Sequence, residues 1–118
     1  MSKSYKEITQ EIKQLLMPFR KEAREPMAAF DAMAKAAMAP GVLTELQKEL
    51  IASGIAVASH CDGCIGFHVK SLVRLGATRE QVNEMLAVAV YMGGGPALMY
   101  AADVLRAYEE FQIKQGAP

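Results

Sequence analysis

The chain has 118 residues, with 13 Lys and Arg against 13 Asp and Glu, so its formal net charge is zero; that balance argues against a nucleic-acid binder, which needs a basic surface to displace phosphate counterions. Hydrophobic residues at 52% and charged ones at 22% are the composition of a packed globular domain and exclude the polar, highly charged signature of disorder. The length predicts one domain, and one this small, carrying eight Met and long Ala-rich stretches, has apolar area left over for subunit interfaces.

The N-terminal stretch MSKSYKEITQ has no apolar run and no small-residue cleavage site, so the cytoplasm is the expected location. There, two cysteines are seldom a structural staple. Strand signals are nearly absent and apolar residues recur at helical spacing throughout, which predicts an all-α fold. Ile8, Ile12, Leu15, Leu16 and Phe19 make the apolar face of a first helix, which Pro18 should kink or end. A second helix is predicted from Pro26 to about Met38, with Phe30, Met33, Ala34 and Ala37 facing inward and Pro40-Gly41 closing it. Thr44 with Gln47 three residues on is a capping box for a third, carrying Leu46, Glu49, Leu50 and Val57 and ending near Ser59 or His60. A fourth runs from about Cys61 to Leu75, with Gly76 as left-handed cap and Lys70 and Arg74 complementing the dipole. Thr78 and Gln81 repeat the capping box for a fifth, whose core face is Val82, Met85, Leu86 and Ala89. After Gly93, Gly94 and Gly95, Pro96 opens a last helix bearing Leu98, Ala102, Leu105 and Tyr108. The uncharged run from Met85 to Ala102 is just long enough to cross a bilayer. Its central glycines and its lack of a basic anchor favour two buried helices meeting at a glycine turn, and no membrane partner is expected.

The segment that carries chemistry reads E-x11-C-x2-C-x3-H: Glu49, Cys61, Cys64 and His68. Sulfurs in the first turns of a helix meet unsatisfied backbone N–H groups and the positive end of the dipole, which favour a thiolate. Cys64 and His68, four apart, are helical neighbours with Cβ atoms about 5–6 Å apart, so the imidazole can take the thiol proton. Cys61 lies on nearly the same face, close enough for a Cys61–Cys64 disulfide. Small residues around Glu49, namely Ala52, Ser53 and Ala56, let a neighbouring helix approach, and a carboxylate there would orient His68, giving a Glu–His–Cys relay.

Blander readings stand beside this one. Cys61, Cys64 and His68 with Glu49 or His60 would suffice for zinc, but the usual second CxxC or H-x3-H pair is missing. The thiols can pack as inert small hydrophobes, Glu49 alone can be a solvated helix residue, and His60 can finish its helix on the last carbonyls. For Tyr91 and Tyr100, beside the glycine turn, core packing outweighs a pocket-lining role.

Glu49, Cys61, Cys64 and His68, followed by Gly76-Ala77-Thr78 and a helix leading to Gly93-Gly94-Gly95-Pro96, resemble the AhpD-like, carboxymuconolactone decarboxylase-related proteins in their alkylhydroperoxidase branch. The resemblance covers roughly Leu43 to Phe111; residues before about Pro40 match only in being helical. It implies a single AhpD-like all-α domain over 1–118 of about six helices, with 1–40 as N-terminal helices and 43–113 as the core. It also implies identical chains assembled as trimers or hexamers, and thiol peroxidase or disulfide reductase chemistry with no metal or organic cofactor. By that analogy Cys64 attacks a small hydroperoxide, Cys61 resolves the sulfenic acid, Glu49 and His68 move the proton, and an external dithiol or thioredoxin-like reductant restores the thiols. In well-studied members a histidine can directly precede the second cysteine; here that position is Gly63. A decarboxylase acting on a lactone acid, which needs no cysteine pair, and a non-enzymatic oligomeric redox sensor are the alternative readings.

Overall fold

The computed structural model describes residues 3–116. Among them the regular elements are all helices: α1 (Tyr5–Glu22), α2 (Arg24–Met38), α3 (Glu45–Ala58), α4 (Asp62–Arg74) and α5 (Arg79–Gly116). At Gly94 the backbone of α5 turns to φ 76° and ψ −157°, a region open essentially to glycine. The element is therefore two helical halves meeting there, which accounts for the sixth helix expected.

Local chemistry explains most boundaries. Thr44 Oγ1 accepts from the Gln47 N–H at 3.0 Å while Gln47 Oε1 accepts from the Thr44 N–H at 2.8 Å, and Thr78 with Gln81 repeats the exchange at 3.1 and 2.9 Å. Gly76 sits at φ 81°. Its N–H reaches the Val73 carbonyl, and the Ala77 N–H reaches that of Leu72, a Schellman closure of α4. Pro18 does not end α1, which continues to Glu22. That half of the helix is exposed, so the Gln14 carbonyl that Pro18 leaves without a donor stays open to water.

The core lies between α3, α4 and α5, where Val57, Ile65, Val69, Leu72, Val82 and Val104 are fully buried. The first turns of α1 close one side of it with Tyr5 and Thr9. Close approach of α1 to α4 depends on Gly66, where a Cβ would stand 2.6 Å from Cγ2 of the buried Thr9 and 3.4 Å from the Tyr5 ring; at Gly63 the nearest atom, 2.9 Å away, is only the tip of the Ile12 side chain. Beyond Ile12 the expected inward face of α1 opens, and Leu15, Leu16 and Phe19 are exposed. Helix α2 buries none of its residues; Phe30 and Met33, expected inside, are 54% and 62% exposed.

The last helix keeps only part of its expected face: Ala97, Ala101, Val104 and Tyr108 are buried, whereas Leu98 and Ala102 are exposed and Leu105 is half-buried. Tyr108 and, in part, Leu105 meet the core as expected, while Ala97, Ala101 and Val104 take the inner positions nearer the turn. By length and composition α5 is apolar enough to cross a membrane. Its two halves meet at the glycine turn as expected and each buries one face, leaving Val88, Met92, Leu98 and Met99 exposed.

Glu110 holds the start of α1 to α5, accepting from the Ser4 hydroxyl at 2.6 Å and the Tyr5 N–H at 2.7 Å. Partial burial works to raise its pKa, but these bonds outweigh that and hold the carboxyl below the ordinary Glu value. A group lowered in the folded state stabilises fully above its unfolded pKa, and that contribution disappears as pH falls through the folded value. Melting temperatures of the wild type and Glu110→Gln should therefore differ most at neutral pH and begin to converge only as pH falls below the ordinary Glu pKa of about 4.3. A gap that persists in acid would contradict this.

Candidate active site

The turn between α3 and α4 is built from His60 and Cys61. His60 takes φ 57°, a left-handed conformation that reverses the chain after the α3 cap at Ser59. Cys61 is extended and is the N-cap of α4, its Sγ accepting from the Cys64 N–H at 3.2 Å. The two cysteines are joined as a disulfide, with Cα atoms 5.2 Å apart. Cys64 is exposed and Cys61 half-buried.

Glu49 is 5% exposed on the inner face of α3, a burial that a carboxylate tolerates only with a partner. That partner is His68, one turn beyond Cys64 on α4, whose Nδ1 lies 2.7 Å from Glu49 Oε1. When the neutral imidazole donates Nδ1–H to the carboxylate, its acceptor lone pair is on Nε2. The His68 side chain is 35% exposed. It and Glu49 open into a cleft of about 350 Å³, walled also by Phe67, Lys70, Ser71 and Arg74. Neither cysteine lines this cleft. The expected constellation is thus brought together as two bonded pairs, Glu49–His68 and Cys61–Cys64, set one turn apart along α4.

The small residues of α3 behave as expected: Ser53 and Ala56 are buried between the helices. The Ser53 hydroxyl has no hydrogen-bond partner, and nothing in the structure explains it. Among the described residues no group of three or more His, Cys, Asp or Glu is arranged to hold a metal. At Gly63 a Cβ would stand 2.9 Å from the tip of the Ile12 side chain, so a histidine before the second cysteine would need that side chain to turn aside.

Sequence reasoning missed a polar cluster on the opposite side of the motif. Asp62, between the cysteines, accepts from Tyr5 Oη at 2.9 Å and from Lys3 Nζ at 3.1 Å. Lys3 also bonds Asp103 at 3.0 Å and lies 5.8 Å from the ring centres of Tyr5 and Tyr100. Tyr100 stacks on His60, with centroids 4.8 Å apart and planes within 6°. Half-buried Tyr100 also packs against the core, as expected, whereas Tyr91 is 85% exposed. Burial and the bond to Asp62 hold the Tyr5 phenol well above its ordinary range. For Lys3 burial acts downward but is outweighed by its bonds to Asp103 and Asp62, so the ammonium is held charged. Asp62 was in view inside the motif; Lys3 and Tyr5, some 60 residues away, carried no signal.

Comparison with known proteins agrees with this fold and motif. A crystal structure of a carboxymuconolactone decarboxylase family protein from Legionella pneumophila, in its apo form, is 54% identical and superposes with a TM-score of 0.90 over 93% of this chain and 98% of that one. An uncharacterized protein of Cupriavidus necator is 46% identical over 83 residues, 70% of this chain and 74% of that one. Another, from Haemophilus influenzae, is 32% identical over 108 residues, 92% of this chain and 96% of that one. The model of the carboxymuconolactone decarboxylase family matches residues 24–107, and the chain belongs to that family, in an AhpD-like form with a CxxC pair at the start of a helix.

Proposed function

We propose that the chain is a thiol peroxidase and disulfide reductase of the alkylhydroperoxidase type. The observation that carries this reading is the Cys61–Cys64 disulfide at the start of α4, with the Glu49–His68 pair one turn further along the same helix. His68 takes the proton of Cys64 and Glu49 holds the ring in orientation. The Cys64 thiolate attacks the outer oxygen of a hydroperoxide; the O–O bond breaks, the alcohol leaves with the proton from His68, and Cys64 becomes a sulfenic acid. The Cys61 thiolate then attacks the Cys64 sulfur and expels hydroxide, which leaves as water after taking a proton. An external dithiol or thioredoxin-like partner reduces the disulfide through a mixed disulfide at the exposed Cys64. It becomes a disulfide itself and returns two electrons and two protons to the pair. No metal or organic cofactor takes part, and the cycle suits a reducing compartment such as the cytoplasm.

The assembly proposed for the site is a homo-oligomer, a trimer or hexamer. What supports self-association is an apolar groove of about 600 Å³ between α3 and the first half of α5, lined by Ile51, Ile55, Met85, Val88 and Met92. Patches of this kind are seldom left bare.

The test is an intact-mass time course of the reduced, metal-free protein after one equivalent of peroxide, run beside Glu49→Gln. The wild type should lose two hydrogens rapidly. The variant should remain folded and oxidise about 10²-fold more slowly, at the low end of what positioned proton transfer contributes. No oxidation of the wild type over minutes would overturn the peroxidase reading, and carbon dioxide release from a muconolactone would replace it. Equal rates would remove Glu49 from the relay.

A further inference from the structure

Asp62 is the only charged residue between the two cysteines, and it is the first residue of the helix that carries them. A bare carboxylate there opposes the dipole-stabilised thiolate that reduction produces. The structure does not leave it bare. The Lys3 ammonium reaches both carboxylate oxygens, at 3.1 and 3.3 Å, and the Tyr5 hydroxyl donates to Oδ1 at 2.9 Å. Tyr5 is fully buried, so its hydroxyl is fixed by packing. Lys3 is fixed by Asp103 and by two aromatic rings. An ordinary exposed ion pair has little effect because its side chains wander; this one is held from three elements onto a single carboxylate beside the reactive sulfurs.

We propose that Lys3, assisted by Tyr5, is a positioning residue that neutralises Asp62 and thereby sets the redox poise of the Cys61–Cys64 pair. The inference rests on the redox reading of that pair given above. Reduction by glutathione consumes two thiols, passes two electrons and two protons to the disulfide, and forms one glutathione disulfide. At neutral pH part of the product is thiolate, so local charge enters the equilibrium directly. The ionisable and aromatic groups on this side of the motif are Lys3 ahead of α1, Tyr5 from α1, His60 from the turn, Asp62 from α4, and Tyr100 and Asp103 from α5, with Arg106 paired to Asp103. On the other side stand Glu49 and His68. Removal of Lys3 leaves Asp62 acting on the sulfurs. Removal of the Asp62 charge leaves Lys3 paired with Asp103 alone.

The two removals therefore act in opposite directions, a pattern that a purely structural contact does not produce. The experiment is an equilibrium titration of the full chain in glutathione redox buffers at pH 7, with the reduced fraction read by thiol alkylation and mass. Wild type, Lys3→Met, Asp62→Asn and the double variant are compared, with thermal melting to confirm that each folds. Lys3→Met should shift the equilibrium threefold to tenfold toward the disulfide, a tenfold change being about 30 mV. Asp62→Asn should shift it toward the dithiol, and the double variant should lie near the Asp62→Asn value because Lys3 acts through that carboxylate. Both single shifts should shrink as salt is raised. If Lys3→Met loses its fold, Tyr5→Phe, which keeps the ring, serves in its place with a smaller shift toward the disulfide. Single variants that overlay the wild type, or move the same way, overturn the proposal while leaving the redox pair intact. A wild-type disulfide that never equilibrates with glutathione overturns the redox reading itself.

Discussion

A Cys64→Ser variant is expected to consume no peroxide above the uncatalysed background, whereas Cys61→Ser is expected to stop after one turnover with Cys64 held as a sulfenic acid. The asymmetry follows from position. Cys64 is exposed and lies one turn before His68 on α4, within reach of the imidazole that would take its proton. A serine hydroxyl there stays protonated at neutral pH and is a far weaker nucleophile than a thiolate. Cys61 is half-buried at the N-cap. Its loss leaves the attacking sulfur in place and removes only the group that condenses with the oxidised product. Peroxide consumption, together with a sulfenic-acid-specific label read by mass, separates the two variants. A label trapped on Cys61 in the Cys64→Ser variant would exchange the assigned roles.

Tyr5→Ala is expected to release α1 from the rest of the fold. The ring is fully buried and its hydroxyl and N–H bond Asp62 and Glu110. Truncating a buried aromatic costs about 3–5 kcal/mol, and α1 has few other anchors: Thr9 is buried, Ile8 and Ile12 are half-buried, and the residues after them are exposed. The loss therefore falls on one unit and not on the whole domain. Amide exchange should show α1 protection collapsing while α3, α4 and the first half of α5 keep theirs. Tyr5→Phe, which sacrifices only the hydroxyl bond, should cost about 1 kcal/mol. Uniform loss of protection across all helices in the alanine variant would mean that α1 and the core fold as one.

The features legible in the sequence were those settled within a few residues. Capping boxes at Thr44 and Thr78, the left-handed glycine at position 76 and the CxxC at a helix start are exchanges between near neighbours. The Glu49–His68 bond was readable for a different reason: small residues on α3 announced a close helix, and a histidine at the right turn of α4 was waiting for it. Which apolar face meets the core was harder, because periodicity states that a face is apolar and not what covers it. Phe30 and Met33 have the spacing of core residues yet lie on a helix with nothing over it in one chain. In the last helix Tyr108 and Leu105 meet the core as expected, but Leu98 and Ala102 do not, because the small Ala97 and Ala101 take the inner positions and an apolar count favours the larger side chain beside them. The Lys3–Tyr5–Asp62 cluster joins residues that only the docking of α1 brings together, and no local pattern encodes that.

Helix α2 has no buried residue, yet it is not a loose tail. The Ala23 N–H returns to the Phe19 carbonyl, Arg20 bridges to Asp31 at 2.9 Å, and Lys48 Nζ reaches from α3 to the Ala37 and Ala39 carbonyls at 2.9 and 2.6 Å. The backbone bond at the junction and the Lys48 contacts tie the hairpin at its two ends, to which the exposed Arg20–Asp31 pair adds little. A surface docking on α2 would meet a helix already tied at both ends, so part of the ordering entropy that weakens association with an extended segment would be lost within the chain beforehand.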